Sequence, residues 1–108
     1  MRGMVSIQEF RSLGMKVGRI LSVKDIPEAD RLYLLEVDIG KKIQLVAGIK
    51  QDYTPEQLRG RDIVVVSNLD HAVIKGFKSE GMLLAAESRG RAVLLTPDKN
   101  TEPGSEIR

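Results

Sequence analysis

Two adjacent runs constrain this chain most. Tyr33, Leu35, Val37 and Ile39 alternate with Leu34, Glu36 and Asp38, and after Gly40-Lys41 the pattern returns as Ile43, Leu45, Ala47 and Ile49 around Gln44, Val46 and Gly48. Apolar residues at period two form one buried face of a strand, and two such runs across a glycine-containing turn predict a hairpin. A chain built on that pattern must bury one side of a sheet. Upstream, Met15 to about Val23 is apolar and β-branched enough for another strand, with Gly18 marking a bend or bulge. Asp25-Ile-Pro-Glu-Ala-Asp30 breaks it as a loop. Downstream, Ile63 to Val66 predicts a strand buried on both faces. Met82–Glu87 and Arg91–Leu95 predict a second hairpin about Ser88-Arg89-Gly90.

Two short helices punctuate the strands. Ser6 and Glu9 have the spacing of a capping box, with Val5 and Phe10 at the staple positions and Gly14 after Leu13, which predicts a helix over about 7–13 that must dock on something. Thr54-Pro55-Glu56-Gln57 repeats the device with proline at the first helical position, and Gly60 ends that helix. The tail from Thr96 holds Pro97 and Pro103-Gly104 and is expected to be extended or looped. Strand, strand, strand, short helix, strand, strand, with extra pieces at both ends, is the layout of a five-stranded OB-fold barrel, the all-β class expected here. An SH3-like barrel is the competing layout.

With 108 residues, the chain is expected to be one domain over 1–108: an N-terminal helix within 5–14, a barrel over 15–95 and an extended tail over 96–108. Met4 reads as an alternative start, with residues 1–3 left by cloning. No cysteine removes disulfides, thiol catalysis and Cys-ligated metals, and a single histidine removes multi-His sites; neither cofactor nor metal is expected. Asp70-His71 beside Ser67 or Ser79 is the one neighbourhood resembling a catalytic triad, and a solvated loop histidine is the plainer reading, so the expectation is a protein that is not an enzyme. No apolar run approaches the roughly 20 residues of a membrane helix, and a cytoplasmic location is expected. Lys and Arg number 17 against 15 Asp and Glu, so any nucleic-acid face must come from cations gathered in space.

The aromatics are few: Phe10, Tyr33, Tyr53 and Phe77, with Phe10 and Tyr33 expected in the core. That argues against a row of stacked bases and leaves recognition through phosphates and shape. The stretch from Asn68 to Met82 carries the most chemistry. Gly76 and Gly81 bracket Lys78 and Ser79, Lys75 adds charge, Asn68 adds hydrogen bonds and Met82 adds a soft apolar face. An ordinary surface connection ending in a core methionine fits the same residues equally well.

Five segments in register resemble the tRNA-binding domain family. They are Pro27-Glu-Ala-Asp30-Arg31-Leu32-Tyr33, Val46-Ala-Gly48-Ile49, Tyr53-Thr-Pro-Glu-Gln-Leu58, Asn68-Leu69, and Lys75-Gly76 through Ser79-x-Gly81-Met82-Leu83-Leu84-Ala85-Ala86. That family includes the domain appended to methionyl-tRNA synthetase or supplied as its beta subunit, free-standing structure-specific tRNA-binding proteins, and part of endothelial-monocyte-activating polypeptide II. The resemblance implies an OB-fold that binds the tRNA shape as a homodimer, with the terminal segments at the interface. It also implies a methionyl-tRNA synthetase catalytic subunit as partner, whose tRNA affinity the domain raises in trans, and no small-molecule substrate. The family's binding positions fall on Asn68, Lys75, Ser79 and Met82, with Arg31 a nearby basic contact and Lys78 beside them. Where relatives commonly read Asn-Leu-Lys-Pro, this chain has Asn68-Leu69-Asp70-His71, which replaces a base by an acid. Some dimeric relatives are described as export-related chaperones that bind unfolded peptides. Those tend to diverge in the Ser-x-Gly-Met segment that this chain keeps. A third role is tethering a synthetase without touching RNA.

Overall fold

The computed structural model describes residues 3–108, so Met1 and Arg2 of the expected cloning remnant lie outside the described residues. The period-two runs form the hairpin they predict: β2 (Tyr33–Asp38) pairs antiparallel with β3 (Lys42–Ala47), setting Leu35 opposite Leu45 and Val37 opposite Ile43. β1 (Met15–Asp25) pairs with β2 through its second half and with β4 (Asp62–Val66) through its first. A two-residue β7 (Met82–Leu83) completes the order β3-β2-β1-β4-β7. This sheet curls into an OB-like half-barrel around Ile20, Leu35, Leu45, Ile63 and Val65, all at most 1% exposed. The polar alternates between them face outward, as the pleat dictates.

Between β3 and β4 stands α2 (Pro55–Leu58), capped reciprocally by Thr54 and Gln57. Four residues are too few to hold a helix alone. The caps fix its start, and Leu58, fully buried, plugs it into the barrel.

Several expectations need correction. The irregularity in β1 falls at Leu21, between Ile20 and Ser22, and not at Gly18. Gly18 instead admits close packing, since a Cβ there would lie 2.6 Å from Val37 Cγ1. The loop before Met82 contains its own hairpin, β5 (Ala72–Ile74) with β6 (Phe77–Ser79). The hairpin expected to start at Met82 begins later, as β8 (Ala85–Ser88) with β9 (Arg91–Leu94), because Met82 and Leu83 are claimed by β4. The N-terminal helix α1 covers Ile7–Arg11, shorter than expected, and buries no residue; Phe10 is 40% exposed and outside the core. The tail is more than extended: Val17 N bonds Ser105 O, Gly104 N bonds Val17 O and Ile107 N bonds Met15 O, so it runs along the free edge of the first half of β1.

Candidate nucleic-acid interface

Two hairpins leave the half-barrel on either side of β7, and the sequence between Asn68 and Leu94 supplies both. In β5–β6 the pairing sets Val73 opposite Lys78 and Ala72 opposite Ser79. Opposed residues share a face and successive residues alternate, so turning Ser79 inward turns Lys78 and Val73 outward. Ser79 is 5% exposed; its hydroxyl accepts from Val46 N and donates to Gly81 O, both at 3.1 Å. With Gln44 Nε2 donating to Lys78 O and Glu80 N to Gln44 O, it fastens the hairpin to β3 and bridges the gap in the barrel.

The Lys-Gly-x-x-Ser-x-Gly-Met segment thus divides its labour. A Cβ on Gly81 would lie 2.7 Å from Val66 O, so this position lets β7 approach β4. Ser79 ties β6 to β3. Lys75 stands exposed in the turn, Lys78 stands exposed on the outer face, and Met82 is 51% exposed on the edge strand. Val73, at 75% exposure, lies across from Lys78.

Asn68 has both ends of its carboxamide engaged within the chain. Oδ1 accepts from Gly14 N at 2.6 Å and Nδ2 donates to Ser12 O at 2.7 Å, which clasps the end of α1 to the segment after β4. Arg31 lines an open cleft of about 320 Å³ against the second hairpin, with Gly48, Asp52, Ala86, Glu87 and Arg91. That hairpin is anchored from the β3–α2 connection: Asp52 accepts from Ala92 N at 3.2 Å and pairs with Arg91 at 3.6 Å, and the Tyr53 hydroxyl accepts from Leu94 N at 3.0 Å. Arg61 lies 5.3 Å above the Tyr53 ring, and Tyr33, whose phenol burial pushes its pKa upward, donates to Tyr53 O. Sequence reading missed Asp52 and Tyr53 as anchors, because nothing in a loop segment marks the backbone amide it will meet.

A second surface has an apolar floor and a charged rim. Ile7, Phe10, Leu13, Met15 and Ile107, with Arg11, Lys16, Glu106 and Arg108 beside them, line a groove of about 360 Å³ between α1 and the tail. Among the described residues no group of three or more His, Asp or Glu gathers as a metal site, and no helix is long and apolar enough to cross a membrane.

A family model described as "Putative tRNA binding domain" matches residues 15–106. The chain belongs to the tRNA-binding domain family. It is 48% identical over 105 residues to a methionine–tRNA ligase of Thermococcus kodakarensis, covering 96% of this chain and 14% of that protein. The chain therefore spans about one-seventh of the length of that curated relative. The fold matches a methionyl-tRNA-synthetase-related protein from Pyrococcus horikoshii at TM-score 0.93 and 29% identity, over 99% of this chain and all of the other. It also matches the chaperone CsaA from Bacillus anthracis at TM-score 0.88 and 31% identity, over 98% of this chain and all of the other. Its OB-like half-barrel is the one expected from the strand order.

Proposed function

We propose that this domain binds the folded shape of tRNA through phosphate contacts, performs no chemistry of its own, and raises the tRNA affinity of a methionyl-tRNA synthetase catalytic subunit in trans. The observation that carries the reading is the outward pair Lys75 and Lys78, held on a hairpin whose inner face is fastened to the barrel by Ser79. Positioned cations on a rigid element offer phosphate contacts at little ordering cost. Met82 and Arg31 extend the contact, while Asn68 and Ser79 act by holding the backbone that presents it.

The domain works as a homodimer in the cytoplasm. A five-residue helix with its apolar face in water is unstable alone, and a second copy seated on the groove of Ile7, Phe10, Leu13 and Ile107 buries that face. Two copies also double the cations presented to one tRNA. Phe10→Asp is expected to give a monomer by sedimentation, with wild type sedimenting as a dimer.

The test of the tRNA reading is fluorescence binding of bulk tRNA and of a single-stranded RNA of equal length across a salt series. Tight tRNA binding with a steep salt slope and poor single-strand binding supports it. Equal, salt-independent binding of both overturns it. A second reading, binding of unfolded peptides, is favoured by the structural match to a chaperone and by exposed Val73 and Met82. In that case an unfolded peptide binds with little salt dependence, while tRNA binds weakly and without a salt slope.

A further inference from the structure

Three non-glycine residues among those described hold positive φ: Glu28, Lys75 and Arg89. The last two are the same device. Lys75-Gly76 closes β5–β6 with φ of 53° and 84°, and Arg89-Gly90 closes β8–β9 with φ of 52° and 76°. Two-residue hairpin turns of this kind need positive φ at both central residues, and Asn, Asp or Gly is the usual first residue. Lys and Arg carry a Cβ into the left-handed region without the short polar side chain that lets Asn settle there. Each tip holds a cation where a more stable turn residue was available.

We propose that Arg89 is a second tRNA-phosphate contact, mounted on β8–β9 as Lys75 is mounted on β5–β6. This inference rests on the tRNA-binding reading above. Three observations support it besides the turn. The base of the hairpin is fixed, with Leu94 in the core and Asp52 and Tyr53 holding the Ala92 and Leu94 amides, so the tip is presented and not left to wander. The strand leading to the tip, Ala85-Ala86-Glu87-Ser88, is exposed throughout and begins with two alanines, which let a backbone ligand come close. The cleft beside it is lined by Arg31 and Arg91 together with Asp52 and Glu87, and Arg91 is paired with Asp52, so Arg31 and the tip residue Arg89 are the cations this flank presents beyond that pair. The two tips flank β7 in the chain, with Met82 between them.

The experiment compares intact wild type, Arg89→Asn, Arg89→Lys and Lys99→Asn by tRNA binding across roughly 50–200 mM salt, beside thermal melts. Arg89→Asn is expected to raise Tm by about 2–5 °C, since Asn suits the turn, and to weaken binding about 3–10-fold with a salt slope shallower by about 1. Arg89→Lys keeps the wild-type slope, and Lys99→Asn, which removes an exposed tail cation, stays within about twofold of wild type. Wild-type binding by Arg89→Asn, or an equal loss in Lys99→Asn, overturns this contact and leaves the tRNA reading standing. A binding loss accompanied by a fall in Tm also overturns it, because the hairpin has then come apart. Absence of salt-dependent tRNA binding by wild type overturns both readings, and that arm is read before any variant.

Discussion

The curled sheet and the two hairpins are built from one chain under opposite rules. In β2 and β3 every second residue is committed to the interior, β4 is buried from Ile63 to Val66, and Leu35, Leu45, Ile63 and Val65 are almost wholly buried. In β5 and β8 every residue is exposed, and the turns that close those hairpins carry Lys75 and Arg89 in a backbone conformation that suits neither. The sheet accumulates stability from burial. The hairpins hold cations at tips whose backbone conformation disfavours them. If those tips bind RNA as proposed, stability and binding are separable in this domain, and Ser79 and Asn68, whose side chains bond backbone, belong energetically with the sheet.

That separation can be broken or sharpened by substitution. The largest effect is expected from Leu58→Ala: emptying the plug between α2 and the barrel costs about 2–5 kcal/mol, read as a lower denaturant midpoint, while the folded fraction keeps its tRNA salt slope. A changed slope would place part of the binding surface in the core. Ser79→Ala removes both hydroxyl bonds that fasten β6, and about 1–2 kcal/mol of stability is expected to go with them. Its salt slope stays at the wild-type value, which separates a structural serine from one that touches phosphate. Asn68→Ala frees Ser12 and Gly14 from the clasp and costs about 1 kcal/mol, with a larger drop in dimer population by sedimentation. The smallest effect is Thr54→Ala, about 1 kcal/mol or less from one cap of a four-residue helix, with binding untouched by titration.

Much of the fold was legible because burial leaves a periodic trace. The alternation over 33–39 and 43–49 named both strands of the hairpin, and the capping boxes at Ser6 and Thr54 named both helix starts. The bulge was misplaced to Gly18 because a glycine in a strand signals either a kink or a close approach, and only the neighbouring Val37 decides which. The hairpin at 72–79 was hidden because both its strands are short, β5 lies wholly in water and Lys75 is not a residue that announces a tight turn. In the site, residue type was informative and role was not. Asn68 and Ser79 look like ligand contacts in one dimension, and in the structure their side chains bond backbone of segments 12–14, 46 and 81.

The central claim is that exposed cations on fastened hairpins bind RNA while the motif's buried polar residues hold the frame. The direct test is the Lys75→Ala/Lys78→Ala double variant beside Ser79→Ala, each titrated with tRNA over a salt series and each melted. The lysine variant is expected to keep its Tm, lose about tenfold in affinity and flatten the salt slope by about 2, while Ser79→Ala loses Tm and keeps its slope. The reverse pattern, or two variants that lose slope and stability together, would contradict the account.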